Sequence, residues 1–419
     1  MKKFAILAFA AVLVFAFTVP AMAIDNSFGG YWRTRAITQQ NFSGNDAGTL
    51  DQTRVDTRTR LYYTAKFSDN FKFVNKFELD AVWGDNGYGD IGADGISVEV
   101  KNSYADFTLG CTNLKIGVQG LGFARGFLFS DDAAAAVITY KGDGIAVPFT
   151  WIKAYEGGKG NDRNDYDVDY YAINPSFGMN GITIKPLAMY ITSDDAQDWG
   201  FTSPYKAFDL WFLGADIDAK LGAAKVWFTG LYETGSADPM GGGTQSFDFG
   251  AYLFAVGASA PVGPASVHGQ FFTLSGDDDE SAGNMDVDKF WVPRGQCYYW
   301  SEIMGNGTFD EQTPANVPKY NALSNIMAAN VGVSFKATPK LKLTADLWYA
   351  KLNEDDANKE NVLGTEVDFK ATYKIMDNLN LDFVAAYLFT GDAIYTKVNA
   401  TDPEQENIYE IGTRLSLSF

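Results

Sequence analysis

His268 is the only histidine, and Cys111 and Cys297 are the only cysteines, in a chain of 419 residues. That scarcity excludes a Cys/His metal cluster and a CxxCH haem site, and no phosphate loop is present. Any histidine chemistry would have to run through His268 alone. Beyond the first twenty residues no apolar run approaches the ~20 residues a spanning helix needs, so a helical membrane protein is excluded. Positive charge is in deficit as well. The 33 Lys and Arg against 52 Asp and Glu leave a net charge of −19, which argues against nucleic acid as a partner. Helical periodicity and linkers are absent, so no second domain is expected.

The start of the chain is a separate matter. Met1-Lys2-Lys3 is basic, Phe4 to Val19 is almost wholly apolar, and Pro20 precedes Ala21-Met22-Ala23. The apolar run is short for a membrane anchor and is followed by small residues of the kind a signal peptidase reads. Residues 1–23 are therefore expected to be a cleaved signal peptide, and residues 24–419 one domain.

Aromatics and glycine are abundant: 32 Phe, 22 Tyr and 9 Trp with 42 Gly. Most segments alternate with period two. Leu341, Leu343, Ala345, Leu347 and Tyr349 share one face against Lys342, Thr344 and Asp346. Leu363, Thr365, Val367 and Phe369 oppose Glu366, Asp368 and Lys370. Eight tight turns rich in Gly, Asn, Asp or Pro separate the runs, among them Ser68-Asp69-Asn70, Asn180-Gly181 and Met376-Asp377-Asn378. Nine longer polar segments lie between them, the longest being 276–323. Eight turns and nine loops imply an all-β chain of about eighteen antiparallel strands, with sixteen as the other possibility.

The last strand adds a signature. Tyr409, Ile411, Thr413, Leu415, Leu417 and Phe419 point one way, and Glu410, Gly412, Arg414, Ser416 and Ser418 the other. One face suits lipid and the other water. This pattern, ending on an aromatic, resembles the closing strand of a Gram-negative outer-membrane β-barrel. The strand number and the basic wall described next resemble those of the substrate-selective channels that include the alginate-export type. The resemblance implies an up-and-down transmembrane barrel in the outer membrane, with short periplasmic turns and long extracellular loops. It further implies a porin for passive ion and solute transport, contact with lipid and lipopolysaccharide, and insertion by the barrel machinery through Phe419. A homotrimer and a monomer both remain open, and no cofactor is implied.

Inside such a barrel the sequence places an arginine ladder. The first strand turns Arg33 and Arg35 inward, the second Arg54, Arg58 and Arg60, and closure brings Arg414 beside them, with Asp56 and Glu410 interspersed. Guanidinium forks pair carboxylates bidentately, so the row attracts anions or braces the wall against acids such as Glu78 and Asp80. Asp216 and Asp218 on the tenth strand would face it across the bore. Two segments are candidates for narrowing the pore. One is the aromatic stretch of 276–323, with Arg294 near the path; the other is Gly122–Phe129, with Arg125. The acidic loop clusters have no EF-hand spacing and suit solvated charge or weak divalent bridging to lipopolysaccharide. Ser266 and His268 share the lumenal face, but a lipid hydrolase would hold such a pair toward lipid. An enzyme is not expected. The function expected is passage of small hydrophilic solutes, biased to anions or carboxylated solutes. The competing readings are a structural or adhesive barrel with a plugged lumen, and the barrel of a larger export or electron-transfer complex. Cys111 at a periplasmic turn and Cys297 in an outer loop cannot meet within the ~7 Å a disulfide allows, so both are expected to be free.

Overall fold

A computed structural model describes residues 24–87, 89–92, 95–157, 167–194, 205–239, 246–278, 286–355 and 359–419. The expected signal peptide, and Asp195, Asp279, Glu280 and Asp356 of the acidic clusters, lie outside the described residues.

The strands follow one another as hairpins. They begin with β1 (Asp25–Gln40), β2 (Gln52–Ser68), β3 (Phe71–Val82), β4 (Glu99–Leu109) and β5 (Thr112–Phe123). Next come β6 (Phe129–Gly142), β7 (Ile145–Tyr155), β8 (Val168–Ile173), β9 (Ser176–Met179) and β10 (Ile182–Ser193). After these come β11 (Tyr205–Leu221), β12 (Ala224–Pro239), β13 (Phe247–Val262) and β14 (Ala265–Leu274), then the two-residue β15 (Asp286–Val287). The ring is completed by β16 (Ile326–Thr338), β17 (Leu341–Lys351), β18 (Val362–Met376), β19 (Leu379–Thr390) and β20 (Ile408–Ser418). Both β8 and β9 lie between β7 and β10, as two halves of one stave. The short β15 only adds a parallel pair to the rim of β13. Eighteen antiparallel staves remain, as the turn count implied.

Closure is made by β1, which pairs with β2 on one side and β20 on the other. Among the described residues the ring has no open edge, which is what a sheet in hydrocarbon requires. At the foot of this seam Gly30 and Phe419 exchange backbone hydrogen bonds of 2.7 and 3.1 Å. A Cβ on Gly30 would stand 2.5 Å from both the Arg60 carbonyl and the Phe419 ring. Gly30→Ala is therefore expected to lower the temperature at which the barrel loses its compact mobility in semi-native gels. An unchanged transition would show that the seam tolerates a side chain there.

The break in the stave of β8 and β9 falls at Asn174-Pro175. Proline has no N–H for a ladder. Asn174 stands in, its side-chain amide donating to the Pro186 carbonyl at 2.7 Å and its backbone N–H to the Pro148 carbonyl at 3.4 Å.

Large apolar residues such as Leu213, Phe254, Val367 and Ile411 are exposed on the outer wall, which fits a surface covered by lipid chains. The inward face departs from expectation. Instead of being polar throughout, much of it is apolar: Phe212, Leu253, Phe272, Ile326, Ala350 and Leu388 are buried. They pack against residues of the 276–323 segment, which turns into the bore and buries Phe290, Ile303, Met304 and Phe309. One face assignment is corrected as well. Leu363, read as lipid-facing, is buried, because the ladder slips between Ala350 and Lys351 and Gly364 takes φ +137°. A bulge adds one residue and reverses the alternation beyond it.

Candidate functional site

The register of β1, β2 and β20 fixes the basic wall. Arg33 stands opposite Arg58, Arg35 lies between Asp56 and Arg414, and Arg60 is opposite Tyr31. Parity turns all six arginines to the lumen, and the structure brings them together on three adjacent staves. Most find carboxylates. Arg58 grips Asp80 with Nε at 2.7 Å, Arg60 pairs with Glu78, and Arg414 holds Asp382 at 2.8 Å. Arg35 Nε donates to Asp56 at 2.8 Å. The bracing is thus present, through the two acids named from sequence and through Asp382, which was not.

Arg33 differs. Only 7 % exposed, it makes no ion pair among the described residues, and its Nε has no hydrogen-bond partner. A guanidinium withdrawn from water without a counter-ion is held at a cost of several kcal/mol. An arriving carboxylate would relieve that cost.

The long loop meets this wall directly, a contact the sequence did not reveal. Glu311 reaches Arg35 Nη2 at 2.8 Å with one oxygen and Arg54 Nη1 with the other. Arg414 Nη1 donates to the Thr308 carbonyl at 2.9 Å, and Lys370 Nζ to Thr308 Oγ1 at 2.7 Å. Inward acids hold the other end of the loop. Glu366 accepts the N–H groups of Ile303 and Met304 at 2.6 and 2.9 Å and the Ser301 hydroxyl at 2.9 Å. Glu233 accepts the Trp291 N–H at 2.8 Å. The available sequence signal was the run of apolar residues on both faces of β11 and β13, which no purely water-filled bore would call for.

The second candidate segment joins the first. Ala124, Arg125 and Gly126 all take positive φ, turning the tip of the β5–β6 hairpin inward. Phe127 stacks on Tyr298 with ring centres 3.6 Å apart, Cys297 N–H donates to the Gly126 carbonyl at 3.2 Å, and Gln296 donates to the Phe127 carbonyl at 2.7 Å. Arg125 spans to β11, 2.9 Å from Asp218 and 3.6 Å from Asp216, and lies over the Trp227 ring. The two aspartates are thus inward as expected, but they are engaged by Arg125 and do not form a free acidic wall. Arg294 is exposed and makes no ion pair among the described residues; its carbonyl accepts the Tyr170 hydroxyl at 3.2 Å. Below the loop is a cavity of about 380 Å³ lined by His268, Asp346, Trp300, Trp348, Glu302 and Lys370. His268 Nε2 is 2.7 Å from Asp346, whereas the Ser266 hydroxyl turns to the Ala260 carbonyl, so Ser266 and His268 do not form a nucleophile–base pair.

Cys111 is exposed and Cys297 half-buried, and neither is in a disulfide. Burial pushes the Cys297 thiol up, with Tyr299 close by and Asp310 adding negative charge. Maleimide is accordingly expected to label Cys111 quickly in folded protein and Cys297 slowly, with both reacting after unfolding. Equal rates in the folded state would place the loop outside the bore.

The architecture to compare is thus a closed ring of eighteen antiparallel staves with an apolar exterior and an inturned loop. No protein-family model matches the chain, and no curated protein matches it in sequence. In shape it is similar to OpdK, an outer membrane protein of Pseudomonas aeruginosa, with a TM-score of 0.60 and 10 % identity over 94 % of this chain and 98 % of that one. OccK2 (OpdF) of the same organism, solved in complex with glucuronate, gives 0.57 and 10 % over 94 % and 98 %. A BenF-like porin from Pseudomonas fluorescens Pf-5 gives 0.58 and 12 % over 96 % and 100 %. At these identities the likeness establishes the fold.

Proposed function

We propose that this chain is an outer-membrane porin that lets small hydrophilic solutes diffuse passively, with a bias to anions and carboxylated solutes. The observation that carries this reading is the row of six inward guanidiniums, with Arg33 lacking a counter-ion. Such a row offers successive bidentate sites along one side of the bore, and in a narrow space of low dielectric their attraction is weakly screened. The OccK2 structure was solved with glucuronate and one OpdK structure with vanillate, both carboxylates, which accords with the reading. The mature chain would be a single barrel of residues 24–419 surrounded by lipid, with lipopolysaccharide at its outer rim. Phe419 would serve as the mark read by the insertion machinery, in a monomer or a homotrimer.

Purified protein in a planar bilayer with asymmetric KCl tests this: discrete current steps with an anion-selective reversal potential are expected. The inturned loop, docked on both sides of the lumen, favours a second reading as a plugged structural barrel. That reading predicts no current steps in any salt.

A further inference from the structure

Among the described residues, Glu311 is the loop carboxylate that forms ion pairs with the arginine wall, and it does so as a solute would. Its two oxygens engage two guanidiniums on neighbouring staves, Arg35 on β1 and Arg54 on β2. Asp56 takes the Nε of Arg35 and lies 3.3 Å from that of Arg54, so while Glu311 is seated both guanidiniums already face two carboxylates. Arg33, two residues along the same inward face, forms no ion pair among the described residues, and its Nε has no hydrogen-bond partner. The wall therefore has a vacant position beside an occupied one, and the occupant belongs to the protein.

We propose that Glu311 is an internal competitor that sets the wall's specificity: a passing carboxylate engages Arg33 and then replaces Glu311 on Arg35 and Arg54. This rests on the reading of the chain as an anion-biased channel. A carboxylate can reproduce both contacts of Glu311, one oxygen to each fork, whereas chloride is a single point charge and cannot. Displacement would thus favour carboxylates over inorganic anions without any change in net wall charge. The exchange forms and breaks ion pairs only, and no covalent step is involved.

The test compares wild type, Glu311→Gln and Asp288→Asn in planar bilayers, with benzoate as the probe and chloride as the background ion. Glu311→Gln keeps the shape and removes the competing charge. Asp288→Asn removes an equal charge from the exposed start of the same loop. Losing a charge-assisted competitor is expected to lower the half-blocking benzoate concentration about tenfold, the equivalent of ~1.4 kcal/mol. It should also raise the permeability of chloride relative to benzoate, while Asp288→Asn changes neither. Slow maleimide labelling of Cys297 in the variant confirms that the loop is still seated. An unchanged half-blocking concentration in Glu311→Gln, or the same shift in Asp288→Asn, overturns the proposal. If wild type itself passes no current, the channel reading fails instead, and the two failures are thereby distinct.

Discussion

Deletion of Asp286–Thr313 is expected to raise single-channel conductance several-fold. The removed stretch carries Phe290, Trp300, Ile303, Met304 and Phe309, all buried within the ring, and Glu311, which spans Arg35 and Arg54. An eighteen-strand barrel is too wide for wall side chains alone to fill its bore, so the loop sets the free cross-section at the level it occupies. Its loss would also expose inward Phe212, Phe272 and Trp348 to water. A lower thermal transition should therefore accompany the larger current, since uncovering one such side chain forfeits about 1.5–3 kcal/mol. Equal conductance in the deletion variant would mean that ions pass elsewhere.

Replacing Arg33, Arg58 and Arg60 together by Ala is expected to reverse the sign of the reversal potential in a KCl gradient. Guanidiniums of this wall pair with Asp56, Glu78, Asp80, Asp382 and the Glu311 carboxylate, while Glu410 among them accepts from the Gln39 amide. Halving the guanidiniums leaves Glu78 and Asp80 without their principal partners and makes the wall net negative. Arg33→Ala alone removes only the charge that pairs with no carboxylate, so it should weaken anion preference without reversing it. Retained anion selectivity in the triple variant would show that the preference arises elsewhere, for example at Arg294.

Most of the architecture was legible because hydrocarbon imposes one demand on every stave. The alternation of Leu347 with Asp346, or of Ile411 with Glu410, registers that demand locally, and Asn180-Gly181 or Gly142-Asp143-Gly144 marks the reversal. Parity then placed Arg33 and Arg58 on one face without knowledge of distance. Partners separated far along the chain were beyond this reasoning. Glu311 meets Arg35 across 276 residues, and Arg125 meets Asp218 only because three consecutive positive-φ residues aim it across the bore. Which loop enters a barrel depends on side-chain packing, a property of the closed ring. Leu363 failed for a smaller reason, since one bulge beside Gly364 suffices to reverse a face.

The segment Thr308–Asn316 rests on the junction of the first and last staves. Arg414 holds Thr308, Phe309 lies against Gly412, and Ala315 N–H donates to the Phe42 carbonyl at 2.9 Å. Its landing site consequently does not exist until β20 has paired with β1. Seating of this segment therefore depends on closure of the ring.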